Sequence, residues 1–96
     1  MRMSLASGLV AVSLATAQAA SVEPPRGASS CTGCHPANAS VETPVPPLAG
    51  RNAADIVAAM EAFRSGQKPA TVMDRIAKGF AVEEIQAIAA WYAAQR

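Results

Sequence analysis

The segment Cys-Thr-Gly-Cys-His at residues 31–35 constrains this chain more than any other feature. It contains both cysteines and the one histidine of the 96-residue sequence. Two cysteines separated by two residues and followed at once by histidine form the attachment pattern of c-type haem. In that pattern the thiols of Cys31 and Cys34 each form a thioether with a haem vinyl group, and the imidazole of His35 reaches the iron from the same side. The sequence therefore predicts one covalently bound haem c.

Paired cysteines also occur in thiol redox proteins and in zinc sites. A thioredoxin-like redox pair belongs to a βαβ pattern, and no segment of this sequence alternates for long enough to predict a strand. A structural zinc site needs four ligands, whereas two cysteines and one histidine provide three. A disulfide between Cys31 and Cys34 would close too short a loop to stabilise the chain much. Haem attachment is the interpretation that accounts best for all three residues.

Residues 1–19 have the features of a secretory signal peptide. Arg2 provides a basic start, residues 5–17 form an apolar run, and Ala17 and Ala19 are small residues at the two recognition positions of a cleavage site. The run is shorter than the roughly 20 residues that span a bilayer. We therefore expect export to the periplasm, cleavage after Ala19, and one mature domain over residues 20–96 with no stable membrane insertion. A retained N-terminal anchor is the alternative.

The expected mature chain, residues 20–96, is poor in large apolar side chains. Only 13 of its 77 residues are Leu, Ile, Val or Phe. A share below about 20% usually signals disorder, but normally together with a high net charge. Here seven basic residues balance seven acidic ones, which also argues against nucleic acid as a partner. Because small domains of this kind need a metal or a crosslink for stability, the composition independently favours a haem within the core.

Capping signals and hydrophobic spacing predict an all-α chain. A short helix beginning near Arg26 carries the haem motif or directly precedes it, and Pro36 ends this helix. Asn52 caps the next helix, which runs to about residue 64 and is ended by Gly66. A helical turn follows over residues 72–78, and the last helix covers residues 82–94. The stripes expected to face the core are Ile56, Met60 and Phe63, then Ile85, Ile88 and Tyr92, flanked by Trp91.

A haem held by His35 needs a second axial ligand, and the chain has no second histidine. Methionine is the common alternative, and it raises the reduction potential. Met60 lies in the middle of a helical stripe, where methionine usually packs in the core. Met73 follows a proline-containing loop and can cross the far face of the haem, so Met73 is preferred and Met60 stays open. The segment at residues 46–48 is a plausible place for a carbonyl that accepts the other ring N–H of His35.

With these residues in place, the chain resembles a class I cytochrome c. The resemblance covers nearly all of the mature chain: residues 31–35, the Pro-Pro-Leu-Ala-Gly segment at 46–50, Met73, and the aromatic pair at 91–92. It implies a small helical bundle wrapped around one haem, with the Pro46 carbonyl bonded to His35 and Met73 as the sixth ligand. Two departures are Pro36, where the family commonly has glycine, and Ala81, where a capping Ser or Thr is usual.

Residues 60–66 and 71–80 are similar to the haem subunit of flavocytochrome c sulfide dehydrogenase, in its single-haem form. This similarity implies an electron-transfer protein that is not itself an enzyme. It would accept electrons from a sulfide-oxidising flavoprotein, which would carry out the catalysis. One alternative is a free-standing shuttle that delivers electrons to a terminal oxidase or reductase. Another is a haem sensor or haem enzyme, which would need an open sixth position.

Overall fold

The computed structural model describes residues 8, 10–13 and 23–95, and within these ranges the chain is helical with no strand. The expected cleavage position and most of the expected signal peptide lie outside the described residues. No helix in the described part of the chain has the length and apolarity needed to cross a membrane. The four helices are α1 (Ser29–Thr32), α2 (Ala53–Ser65), α3 (Met73–Ala77) and α4 (Val82–Ala93). The fold is compatible with the small all-α bundle predicted from the sequence.

Helix α1 is shorter than predicted, because it begins at Ser29 and not near Arg26. Gly27 has a φ of +87°, a left-handed conformation that cannot continue a right-handed helix. A Cβ at this position would lie 2.9 Å from Cε1 of Phe80, so the site also lacks room for a side chain. Past the helix, the amide of His35 donates to the carbonyl of Cys31 at 2.7 Å, and the helical turn therefore reaches the residue before Pro36, as predicted.

Helix α2 has the capping residues that its sequence predicts. The side-chain oxygen of Asn52 accepts from the amide of Ala54 at 2.9 Å and from that of Asp55 at 3.4 Å. These bonds satisfy two of the amides that a helix start leaves without an intrahelical partner. At the other end, Gly66 adopts a left-handed φ of +80° and closes the helix. The predicted helix therefore differs from α2 by about one residue at its end.

Helices α3 and α4 follow one another closely, and both pack against α2. They are one or two residues shorter than predicted, a difference at the level of helix-end fraying. Ala81 provides no side-chain cap to α4, as its sequence predicts. The carboxylate of Glu84 instead accepts from the amide of Ala81 at 2.9 Å. Before that start, the guanidinium of Arg64 donates to the carbonyl of Phe80, which ties the α3–α4 connection to α2.

The main cluster of buried side chains is small, and its members come from α2, from α4 and from the residue before α1. It consists of Ala28, Ile56, Ile88, Ala89 and Tyr92, with partly buried side chains packed around it. Trp91 is one of these, and its ring meets that of Tyr92 edge to face with centroids 5.0 Å apart. The stripes predicted for α2 and α4 point to this core only in part, since Met60 and Phe63 are half-buried. The remaining apolar faces of the helices line a cavity.

The Asn52 cap can be tested by an Asn52→Ala substitution in the full chain. Loss of the two capping bonds should cost about 1 kcal/mol, which lowers the melting temperature by roughly 4–8 °C in a domain of this size. The matched control is Gln86→Ala, which changes an exposed residue on α4. Thermal unfolding followed by far-UV circular dichroism measures both. An equal melting temperature for Asn52→Ala and the wild type would contradict this role of Asn52.

Candidate haem-binding site

A cavity of about 370 Å³ opens between the haem motif, the proline-containing loop and the faces of α2, α3 and α4. This volume lies within the range of about 300–1,000 Å³ that is usual for cofactor and small-molecule sites. The residues that line it include every candidate site residue predicted from the sequence: Cys31, Cys34, His35, Pro46, Met60 and Met73. The fold therefore brings together residues that are up to 42 positions apart in the sequence.

The His35 side chain is buried and held in one orientation. His35 is 8% exposed, and its Nδ1 lies 2.7 Å from the carbonyl oxygen of Pro46. A carbonyl can only accept, so Nδ1 carries the proton and donates it. Nε2 is then the ring nitrogen that remains available to a metal. The contact with Pro46 is the one that the family resemblance implied, and the prolines around it restrict the loop that presents the carbonyl.

The two cysteines lie on the same wall of the cavity as His35. Cys31 is half-buried at the end of α1, and Cys34 is exposed one helical turn further. Burial raises the pKa of the Cys31 thiol. Neither cysteine forms a disulfide. Both side chains line the cavity, which is the placement that two thioether bonds to one ring require.

Met60 and Met73 both line the cavity, so the fold keeps both as candidate ligands. Met60 projects from the middle of α2, and Met73 is the first residue of α3. Each side chain is half-buried. Their helices differ in length: α2 has 13 residues with capping at both ends, whereas α3 has five residues and no side-chain cap at its start.

The lining of the cavity fits a haem in polarity as well as in size. Apolar side chains form most of the wall, as the flat porphyrin ring requires. Arg51 and Lys68 are the two cationic residues among the described residues that line it, and no carboxylate side chain lines it. Haem carries two propionates, which such cations can balance. The Lys68 ammonium also lies 5.1 Å from the centroid of the Phe63 ring, which lines the same cavity.

Among the described residues, no three His, Cys, Asp or Glu side chains cluster closely enough to bind a metal ion by themselves. A structural zinc site needs four protein ligands, and two cysteines with one histidine provide three. Two cysteines, one histidine and an apolar cavity together fit haem.

Tyr92 is a site residue whose role the sequence did not reveal. Its phenol donates to the backbone carbonyl of His35 at 2.7 Å, and its side chain is fully buried. Burial raises the pKa of Tyr92 to about 12, with a smaller contribution from Cys31, so the phenol stays protonated and remains a donor. The spacing of α4 placed Tyr92 in the core. Its hydroxyl was the sequence signal for a role beyond packing, because a buried phenol needs a hydrogen-bond partner.

Two curated proteins resemble this chain over 66% of its length. The cytochrome subunit of sulfide dehydrogenase from Chlorobaculum tepidum is 36% identical over 63 residues. The thiosulfate dehydrogenase electron acceptor from Stutzerimonas stutzeri is 37% identical over 67 residues. The chain spans 57% of the length of the first relative and 31% of the second. No family model matches the chain.

Both relatives carry names that describe electron-accepting or cytochrome components. Their identity to this chain is moderate and covers only part of each protein. The chain is thus similar, over about two thirds of its own length, to one protein named as a cytochrome subunit and to one named as an electron acceptor.

Proposed function

We propose that this chain is a periplasmic, single-haem c-type cytochrome that transfers electrons. The observation that carries the proposal is the shared cavity, which is lined by Cys31, by Cys34, by the oriented ring of His35 and by two methionines, Met60 and Met73. Bound haem would supply a one-electron couple between ferric and ferrous iron. Export with cleavage after Ala19 belongs to the same proposal, because residues 1–19 have the features of a secretory signal peptide.

Each site residue has a distinct task in this proposal. Cys31 and Cys34 would hold the haem covalently, and His35 would bind its iron through Nε2. The Pro46 carbonyl fixes the His35 tautomer by accepting from Nδ1, at 2.7 Å. Met73 would be the second protein ligand of the iron, and Met60 would pack in the same cavity. With two protein ligands on its iron, the haem would exchange electrons and would not bind substrate.

The finer proposal concerns the electron donor. The first relative is named as a subunit of sulfide dehydrogenase, and this chain is similar to the haem subunit of the flavocytochrome form of that enzyme at residues 71–80. We infer a sulfide-oxidising flavoprotein as partner. The second relative, named as an electron acceptor of thiosulfate dehydrogenase, favours a second candidate: a free-standing carrier that serves another sulfur-compound dehydrogenase.

Covalent attachment is tested with a double Cys31→Ala, Cys34→Ala variant of the full chain, produced in a host that matures c-type cytochromes. The wild type should gain the mass of one haem and keep it after acid–acetone extraction. The double variant should gain none and lose its cooperative thermal transition, because the cavity then stays unfilled. Ser29→Ala, an exposed change in α1, is the control. A wild type without covalent haem would refute the proposal.

The axial ligand is tested by comparing Met73→Ala with Met60→Ala, two equal truncations in the same cavity. Met73→Ala should remove the weak red absorption band of sulfur-to-iron ligation in the ferric protein, and the reduced protein should then bind carbon monoxide at neutral pH. Met60→Ala should keep the band and cost about 2–5 kcal/mol of stability as a truncation of a partly buried side chain. Loss of the band in Met60→Ala alone would assign the ligand to Met60.

The donor is tested by co-expressing the full chain with a sulfide-oxidising flavoprotein and purifying the holoprotein. Sulfide should reduce the haem only when the flavoprotein is present, and the two should co-purify as a stable complex. A monomeric holoprotein reduced equally well by a thiosulfate dehydrogenase would favour the free-standing carrier. The Met73→Ala variant serves as a control, because it changes the iron ligation and leaves the exposed surface of the chain largely unchanged.

A further inference from the structure

Tyr92 connects α4 to both chain segments that hold the imidazole of His35. Its phenol donates to the backbone carbonyl of His35 at 2.7 Å. Its own backbone carbonyl accepts from the amide of Gly50 at 2.9 Å. Gly50 lies four residues after Pro46 in the same loop, and Pro46 accepts from the His35 ring at 2.7 Å.

These three hydrogen bonds form a closed circuit, which we call the Tyr92 triangle. Its corners are His35, the loop at residues 46–50, and Tyr92. The orientation of an imidazole depends on two positions: that of its own backbone and that of the acceptor of its Nδ1 proton. In this chain, the backbone of His35 and the loop that carries Pro46 are each bonded to Tyr92.

The hydroxyl of Tyr92 is not required for filling space. A phenylalanine would provide almost the same apolar volume for the core that surrounds position 92. A fully buried hydroxyl without a partner is costly, so its presence is tolerated only where a hydrogen bond compensates. Here the partner is the carbonyl of the proposed iron ligand, which gives the hydroxyl a role at the site.

We propose that Tyr92 is a positioning residue for His35, fixing the plane of the imidazole by holding the histidine backbone with its phenol and the Pro46 loop with its carbonyl. This inference rests on the proposed ligation of haem by His35. A purely structural tyrosine would affect stability alone. A positioning residue also changes the orientation of the ring when its hydroxyl is removed.

The test compares Tyr92→Phe with the wild type as full-length ferric holoproteins by proton NMR. The four haem methyl shifts depend on the plane of the axial imidazole, so their order or spread should change. Exchange of the His35 Nδ1 proton with solvent should become about tenfold faster, as expected from losing one hydrogen bond. The control is Ala89→Gly, a buried change on the same helix that lowers helix propensity and leaves the triangle intact.

A second measurement covers the case in which Tyr92→Phe yields no holoprotein. Tyr92 is the one tyrosine of the chain, so biosynthetic labelling with 3-fluorotyrosine changes this residue alone. Fluorine beside the hydroxyl makes the phenol a stronger acid and a stronger donor. The His35 Nδ1 proton should therefore exchange more slowly than in the unlabelled holoprotein, with altered haem methyl shifts.

The outcomes separate this inference from the function on which it rests. A wild type that carries no covalent haem overturns both. A wild type with haem whose methyl shifts and Nδ1 exchange are unchanged in Tyr92→Phe overturns the positioning role alone. An equal change in Ala89→Gly does the same, because the effect then reports general loosening of α4. If only the 3-fluorotyrosine holoprotein is obtained, unchanged haem methyl shifts and unchanged His35 Nδ1 exchange overturn the positioning role of Tyr92. Changes in both support that role.

Discussion

The apolar surface of this chain is too small to close a core of its own, and the arrangement of the helices follows from that constraint. Within the described residues, seven hydrophobic side chains are buried, and three of them are alanines. Ile56, Ile85 and Ile88 are buried and also line the cavity, whereas most of the other large apolar side chains on the cavity wall are only partly buried. Burial of apolar area stabilises a fold by about 25 cal/mol per Å². The apolar side chains that line the cavity do not contribute this stabilisation while they face water. A bound haem would bury them and add it.

The haem motif is local, but its geometry depends on distant parts of the chain. Residues 31–35 place both thiols and the imidazole on one wall through a single helical turn. That turn does not determine the rotation of the His35 imidazole. The rotation is fixed from outside the motif, by the loop containing Pro46 and by the side chain of Tyr92. The short segment at residues 31–35 thus provides the reactive side chains of the site, and the rest of the fold determines the orientation of the His35 imidazole.

The parts of the fold predicted correctly from the sequence have short-range causes. Asn52 and Gly66 determine the ends of α2 through bonds and dihedral angles within a few residues. The start of α1 was predicted too early, because Gly27 adopts a left-handed φ of +87° that ends any right-handed helix at this position. The lack of room for a side chain at Gly27 comes from Phe80, 53 residues away, and short-range sequence signals do not reveal it.

The same distinction between short-range and long-range causes applies to the site. Its residue types were predictable from the motif and from the family resemblance, and the cavity brings all of them together. The bond between Tyr92 and His35 was not predictable, because hydrophobic spacing places a side chain in the core without naming the acceptor of its hydroxyl. That bond spans 57 residues, and closing so long a loop costs entropy that a local turn does not. We therefore expect the turn at residues 31–35 to form before α4 docks, and His35 to reach its final orientation after α4 has docked.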